Sequence, residues 1–152
     1  MTVELKKIFV VVFCLVFFGC EDKLEEGEIR IEAKVAADLN FCIGGILLEV
    51  ESPASIGESG RFLVDDKGTY VSADNAINIP DFYRYLNASY AIEGLEKIGA
   101  MNPGVELVLI CRKCTNADYE KLIAPLSNNC SPELEPVNVP SYRVTKVVKV
   151  KE

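Results

Sequence analysis

Residues 28–35, with the sequence EIRIEAKV, decide the fold class of this chain. Apolar side chains occupy Ile29, Ile31, Ala33 and Val35, and a charged residue stands at every position between them. Successive side chains of a β-strand point to opposite faces, so one face of this segment is apolar and the other is charged. The pattern predicts a strand with one face in a core.

Further strands are predicted from both the alternation of apolar residues and short apolar runs. Two of these runs flank an Asp-Gly turn and predict a hairpin, and the last carries lysines that would discourage edge-to-edge association. The predicted segments are Ile46–Glu51, Arg61–Val64, Thr69–Ser72, Val105–Ile110 and Tyr142–Lys151.

Two helices are predicted between these strands. Asp81–Ile98 has apolar residues at spacings of three and four, and Thr115–Leu126 could form a short helix capped by Thr115 or Asn116. Strands and helices do not alternate regularly, so a doubly wound fold is disfavoured. The chain is therefore predicted to be mainly β with one or two short helices, arranged as a small antiparallel barrel or an open sheet.

The N-terminus has the composition of a cleaved leader. Lys6 and Lys7 precede the unbroken apolar run Ile8–Phe18. As a helix this run would extend only about 16 Å, which is too short to cross a bilayer and suits a signal peptide. A buried N-terminal strand or helix is disfavoured because charged residues end the run abruptly. Residues 1–19 are predicted to be a signal peptide.

The end of the leader resembles that of bacterial lipoproteins, with an apolar stretch, a small residue and a cysteine at Val16-Phe17-Phe18-Gly19-Cys20. The resemblance implies cleavage before Cys20, acylation of its thiol, and an N-terminal fatty acyl chain such as palmitate. Several acyl chains anchor a protein stably without a transmembrane helix. The implied location is the bacterial cell envelope, with the outer membrane favoured and the periplasmic or surface face undecided. A soluble periplasmic or secreted protein is the alternative.

The remaining chain divides into an acidic tether, residues 20–27, and a single β-rich globular domain, residues 28–152. The full chain has a formal net charge of −7 and no histidine. The acidic charge argues against nucleic acid as a partner. Because the chain has no imidazole group, catalysis by histidine and metal sites with histidine ligands are both excluded. The sequence indicates no cofactor and no metal.

The order of features in the domain resembles small Gram-negative envelope lipoproteins with an OB-like β-barrel, most of which have no known function. The features are Cys42 and Gly44 between two strands, the hairpin at Val64–Tyr70, the segment Asn78–Phe82, and Cys130 before the final strand. The resemblance implies a Cys42–Cys130 disulfide, which would close a loop of about 90 residues and contribute about 4–5 kcal/mol.

Four cysteines remain once Cys14 leaves with the leader and Cys20 carries lipid: Cys42, Cys111, Cys114 and Cys130. An even number of cysteines in an oxidising compartment predicts two structural disulfides. The preferred pairing is Cys42–Cys130 with Cys111–Cys114, and the crossed pairings stay open. A structural zinc site formed by the four thiols is an alternative.

Cys111-Arg112-Lys113-Cys114 follows an apolar strand and precedes a predicted helix, which is the layout of a thioredoxin-like active site. Cys111 would be the attacking thiol and Cys114 the resolving thiol. The strand order and the absence of an aromatic residue before Cys111 argue against this function. The prediction is therefore a non-enzymatic, lipid-anchored binding or structural protein with the membrane and an envelope protein as partners. Thiol–disulfide exchange is the alternative.

Overall fold

The computed structural model describes residues 22–39, 45–65, 67–80, 92–118 and 138–151. Within these ranges the chain forms six strands, one short 3-10 turn, Leu95–Lys97, and a helical turn that begins at residue 116. The strands are β1 Glu28–Asp38, β2 Gly45–Ser52, β3 Glu58–Leu63, β4 Tyr70–Pro80, β5 Glu106–Lys113 and β6 Tyr142–Lys151.

All six strands pair antiparallel in one sheet with the order β3-β4-β2-β1-β5-β6. The sheet curls enough for the end of β4 to meet the residues before β6. There, in the described residues, one isolated parallel bridge joins Asn78 to Ser141, and the Asn78 amide donates to the Pro140 carbonyl over 3.0 Å. One bridge leaves the sheet open. The prediction of a mainly β fold is confirmed in its open-sheet form, and the prediction of a closed barrel is wrong.

The main core lies on the face to which the alternating apolar residues of β1 point. Ile31, Ala33 and Val35 are at most 2% exposed, as the sequence predicts, and Ile29 packs partly buried against them. The cluster also contains Ile92, Met101 and the inward-facing residues of β2, β4, β5 and β6: Ile46, Leu48, Val50, Ile77, Ile79, Leu107, Leu109, Cys111, Tyr142, Val144 and Val147. This apolar burial is the main favourable contribution to the stability of the sheet.

A second, smaller cluster covers part of the opposite face of the sheet. Leu39 and Leu47 are its largest fully buried members, and Phe62 packs at its margin. Leu47 is buried in this cluster while its neighbours Ile46 and Leu48 are buried in the main core, so β2 is apolar on both faces. This explains why the alternation is weaker in β2 than in β1.

The predicted strands and hairpin are confirmed with small changes in their ends. The main difference is the length of β4. The sequence predicts a strand over Thr69–Ser72, and the structure continues it through Pro80. The polar pair Asp74-Asn75 interrupts the apolar pattern in its middle, and Asn75 has a left-handed φ of 50°. An irregular residue inside a strand hides the strand from a test based on strict alternation.

Positions 81–91 of the predicted helix Asp81–Ile98 lie outside the described residues. Over positions 92–98, which the structure describes, the prediction of a helix is wrong. Gly94 adopts φ 77° and Ile98 is extended, with only the 3-10 turn between them. Glu93 instead forms a parallel bridge to Lys146, and the Val147 amide donates to the Glu93 carbonyl over 2.7 Å. This segment lies along the outer edge of β6. Its hydrogen bonds pair backbone groups of β6 that an unpaired edge strand would leave free.

Candidate functional site

Most of the predicted site residues lie outside the part of the chain that the structure describes. These are the predicted lipid-attachment residue Cys20 and the disulfide candidates Cys42 and Cys130. The acylation of Cys20 and the Cys42–Cys130 pairing therefore stay predictions. The other two candidates, Cys111 and Cys114, are described.

Cys111 and Cys114 are both free thiols, so the predicted disulfide stapling is not supported. Cys111 lies on β5, and the Cys114 amide donates to the Ser141 carbonyl over 2.9 Å, which extends the ladder with β6 beyond the end of β5. Three residues of extended chain separate Cα atoms by about 10 Å and turn the side chains to opposite faces. A disulfide requires Cα atoms no more than about 7 Å apart, so this backbone cannot hold one.

The electrostatic surroundings of the two thiols favour their neutral form. Cys111 is fully buried in the main core, and burial, followed by the neighbouring Cys114 and Glu28, raises the pKa of its thiol far above the ordinary value. Burial also raises the pKa of Cys114 to about 11, helped by Asp118 and opposed by Arg112 and Arg143. An attacking thiol needs the opposite shift, because the thiolate is the nucleophile.

A buried carboxylate organises the chain just after Cys114. Thr115 caps a helical turn that begins at Asn116: the Asp118 amide approaches Thr115 Oγ1 at 3.4 Å, and the Thr115 amide donates to Asp118 Oδ2 over 2.9 Å. The Thr115 hydroxyl also donates to Asp118 Oδ2, over 2.8 Å. This reciprocal arrangement is a capping box with Asp in the place of Glu. It confirms Thr115 as the cap, while positions 119–126 of the predicted helix lie outside the described residues.

The same carboxylate pairs with one arginine from each of the last two strands. Asp118 Oδ1 lies 3.2 Å from Arg112 on β5 and 3.4 Å from Arg143 on β6. Burial alone would raise the pKa of Asp118, but the hydrogen bonds from Thr115 and the two guanidinium groups outweigh it, and the pKa is lowered. Asp118 therefore fastens the start of the helical turn to the sheet, which is a structural role.

A second polar arrangement fixes the N-terminal arm, defined here as residues 22–27. A turn at its end, with Gly27 at φ 80° and the Glu28 amide donating to the Glu25 carbonyl, reverses the chain before β1. The arm thereby folds back beside the sheet, where Asp22 lies 2.8 Å from Lys146 Nζ and 3.3 Å from Arg30. Lys146 also pairs with Glu93 at 2.9 Å. Lys146 thus joins the arm, the 92–98 segment and β6.

Two clefts border these features. One, of about 320 Å³, lies between the arm and the sheet and is lined by charged residues including Asp22, Glu28 and Lys146. The other, of about 500 Å³, lies between the start of β3 and the residues before β6, and Phe62 and Pro140 contribute to its wall. Among the residues that the structure describes, no three Cys, Asp or Glu side chains are grouped to hold a metal ion.

Sequence reasoning missed the central residues of both polar arrangements. The Thr115-x-x-Asp118 spacing carried a signal for the capping box, since an acid three residues after a cap is a helix-start pattern. Lys146 and Asp22 carried no such signal, because 124 positions separate them and only the fold brings them together.

No known protein-family profile matches this chain, and no curated protein matches it at a significant level. In the described part of the chain, no helical segment has the length and apolar character needed to span a bilayer.

Proposed function

We propose that this chain is a lipid-anchored protein of the bacterial cell envelope whose β-sheet domain serves as a non-enzymatic binding or structural module. The observation that carries the proposal is the sequence Val16–Cys20, which ends the apolar run Ile8–Phe18 with a small residue and a cysteine. Acyl chains on Cys20 would hold the domain at the outer membrane, where an envelope protein would be its partner.

The non-enzymatic part of the proposal is supported by the state of the reactive groups. The chain has no histidine, and both described thiols have raised pKa values. Asp118, the most buried described carboxylate, is engaged by Thr115, Arg112 and Arg143. These groups are arranged for structure, which also disfavours thiol–disulfide exchange by the two described cysteines.

The anchor is tested by metabolic labelling with an alkyne analogue of palmitate. Labelled wild-type protein is expected, with the label lost in Cys20→Ala and retained in Cys14→Ala, the matched control in the leader. Label retained in Cys20→Ala would reject the anchor. Intact mass of the native product provides a second check: a chain that keeps residues 1–19 and carries no acyl adduct contradicts the proposal.

Thiol exchange is tested separately by an insulin-reduction assay. The proposal expects wild-type protein to be no more active than Cys111→Ser. A clear excess of activity in the wild type would instead establish an exchanger.

A further inference from the structure

We propose that the lipid anchor holds the domain in one orientation, with the surface around the N-terminal arm against a layer of zwitterionic phospholipid headgroups. This inference rests on the proposed acylation of Cys20. It adds which face of the domain meets the membrane and what lipid chemistry that face fits.

The first step is the length of free chain between the lipid and the fold. Cys20 precedes Asp22 by two residues, and two residues span at most about 7 Å even when fully extended. Asp22 is held at 2.8 Å from Lys146 and 3.3 Å from Arg30. The acylated cysteine would therefore lie within about 7 Å of Asp22, beside the face of the sheet that carries Arg30 on β1 and Lys146 on β6, and the tether would have little freedom to let the domain rotate.

The second step identifies the surface beside the arm. Ile110 on β5 lines the cleft under the arm and pairs with Lys146, while Val108, two residues earlier and so on the same face, pairs with Lys149. Lys149 is exposed. The arm adds Lys23, and Leu24 with 44% of its surface exposed. We call Lys23, Leu24, Lys146 and Lys149 the arm face.

The third step is the charge of this surface. Both signs of charge line the cleft under the arm: the ammonium groups of Lys23 and Lys146, and the carboxylates of Asp22, Glu25, Glu28 and Glu93. A zwitterionic headgroup presents a phosphate and an ammonium group, so it can pair with both signs. Removal of residues 1–19 takes Lys6, Lys7 and Glu4 from the 16 basic and 23 acidic residues of the chain and leaves 14 − 22 = −8, so an anionic layer would repel the anchored protein. Leu24 can reach the apolar boundary beneath the headgroups.

The orientation is tested with the acylated full chain in vesicles of phosphatidylethanolamine and phosphatidylcholine. A photoreactive benzoylphenylalanine replaces one residue at a time: Leu24 on the arm, Lys149 on the arm face, or Glu58. Glu58 is exposed at the start of β3 and borders the cleft beside the residues that precede β6, whereas Lys149 lies near the other end of β6. Lipid cross-links are expected at Leu24 and Lys149, several-fold above those at Glu58.

Releasing the arm should remove this preference. Asp22→Asn is expected to bring the Lys149 and Glu58 cross-links close together, whereas Asp74→Asn, the same change at an exposed position of β4, is expected to leave the difference intact. Equal cross-linking at Lys149 and Glu58 in the acylated wild type overturns the orientation while the anchor stands. Absence of acyl label on Cys20 instead rejects the proposed function itself, so the two failures are distinguishable.

Discussion

At the scale of single residues, Asp118 connects three other side chains. It is 7% exposed and binds Thr115, Arg112 and Arg143. Hydrogen bonds to charged groups contribute about 1.5–3 kcal/mol each, and loss of the shared partner leaves the others unsatisfied. Asp118→Ala is therefore expected to lower the free energy of unfolding in urea by about 2–3 kcal/mol. Asp74→Ala, at an exposed site, is the matched control and should change it little.

The pH dependence of this effect follows from the lowered pKa of Asp118. The folded-state pKa lies below the ordinary value of 3.8, so the carboxylate stabilises the fold above that pH and the contribution is lost as the pH falls through the folded pKa. The stability difference between wild type and Asp118→Ala should accordingly narrow only in strong acid. A difference that stays constant well below pH 3.8 while both proteins are still folded would contradict the assignment.

The thiols give a second prediction at this scale. With a pKa of about 11, Cys114 is mostly neutral at pH 8, and its labelling by a thiol-specific reagent should accelerate about tenfold per pH unit below that pKa. Cys111 is fully buried and should be labelled only as the protein unfolds. Peptide mass spectrometry assigns the labelled residue, and Cys114→Ala shows whether Cys111 is protected independently. Rapid labelling of Cys111 in the native protein would contradict the burial of its side chain in the main core.

At the scale of elements, Asn75 connects β4 to the β2–β3 loop. Its Oδ1 accepts from the amides of Ile56 and Gly57 at 2.9 and 2.7 Å, and its Nδ2 donates to the carbonyls of Val50 and Pro53 at 2.9 and 3.1 Å. Gly57 packs so closely on the backbone of β4 that no Cβ would fit there. The irregular point of β4 is therefore the point that fixes the neighbouring loop.

Asn75→Ala should destabilise the sheet by about 2–4 kcal/mol, because its side-chain hydrogen bonds are lost and alanine is strained at a φ of 50°. Asn75→Gly relieves the backbone strain and loses the same hydrogen bonds, so it should be the less damaging change. Ser72→Ala, at an exposed position of the same strand, is the control. Urea unfolding measures all three. Equal stability of wild type and Asn75→Ala would mean that the loop needs no such support.

The same strand shows how far the sequence could predict this fold. The strict alternation at residues 28–35 predicts β1 and its buried face, because a strand with a core on one side has an apolar period of two. The sequence pattern predicts β4 only as far as Ser72, because the partners of the polar Asn75 side chain are distant in sequence. The apolar spacing of residues 92–98 predicts a helix, but the structure has Gly94 at φ 77° and only a 3-10 turn after it. Long-range polar partners are invisible to local pattern tests.

At the scale of the whole molecule, Lys146 joins three parts of the chain: the arm, the 92–98 segment and β6. Its pKa is raised by hydrogen bonds to Asp22 and Glu93, so it stays charged across the physiological range. The pairs are exposed enough to be screened by salt, which makes them suited to holding the arm in place while contributing little to global stability. Local release of the arm and global unfolding should therefore be separable.

Limited proteolysis with trypsin tests this separation in a soluble form without acyl chains, by the rate of cleavage after Lys23. Lys146→Met keeps most of the aliphatic side chain but removes the partner of Asp22 and Glu93, so cleavage should be several-fold faster, with little change in the urea midpoint. Lys149→Met removes an exposed ammonium group from the same strand and should leave the rate unchanged. Added salt should speed cleavage of the wild type towards the rate of Lys146→Met, since screening weakens the same ion pairs. Identical cleavage rates in the two variants would show that the arm is held by other contacts, and the fixed orientation would then lose its structural basis.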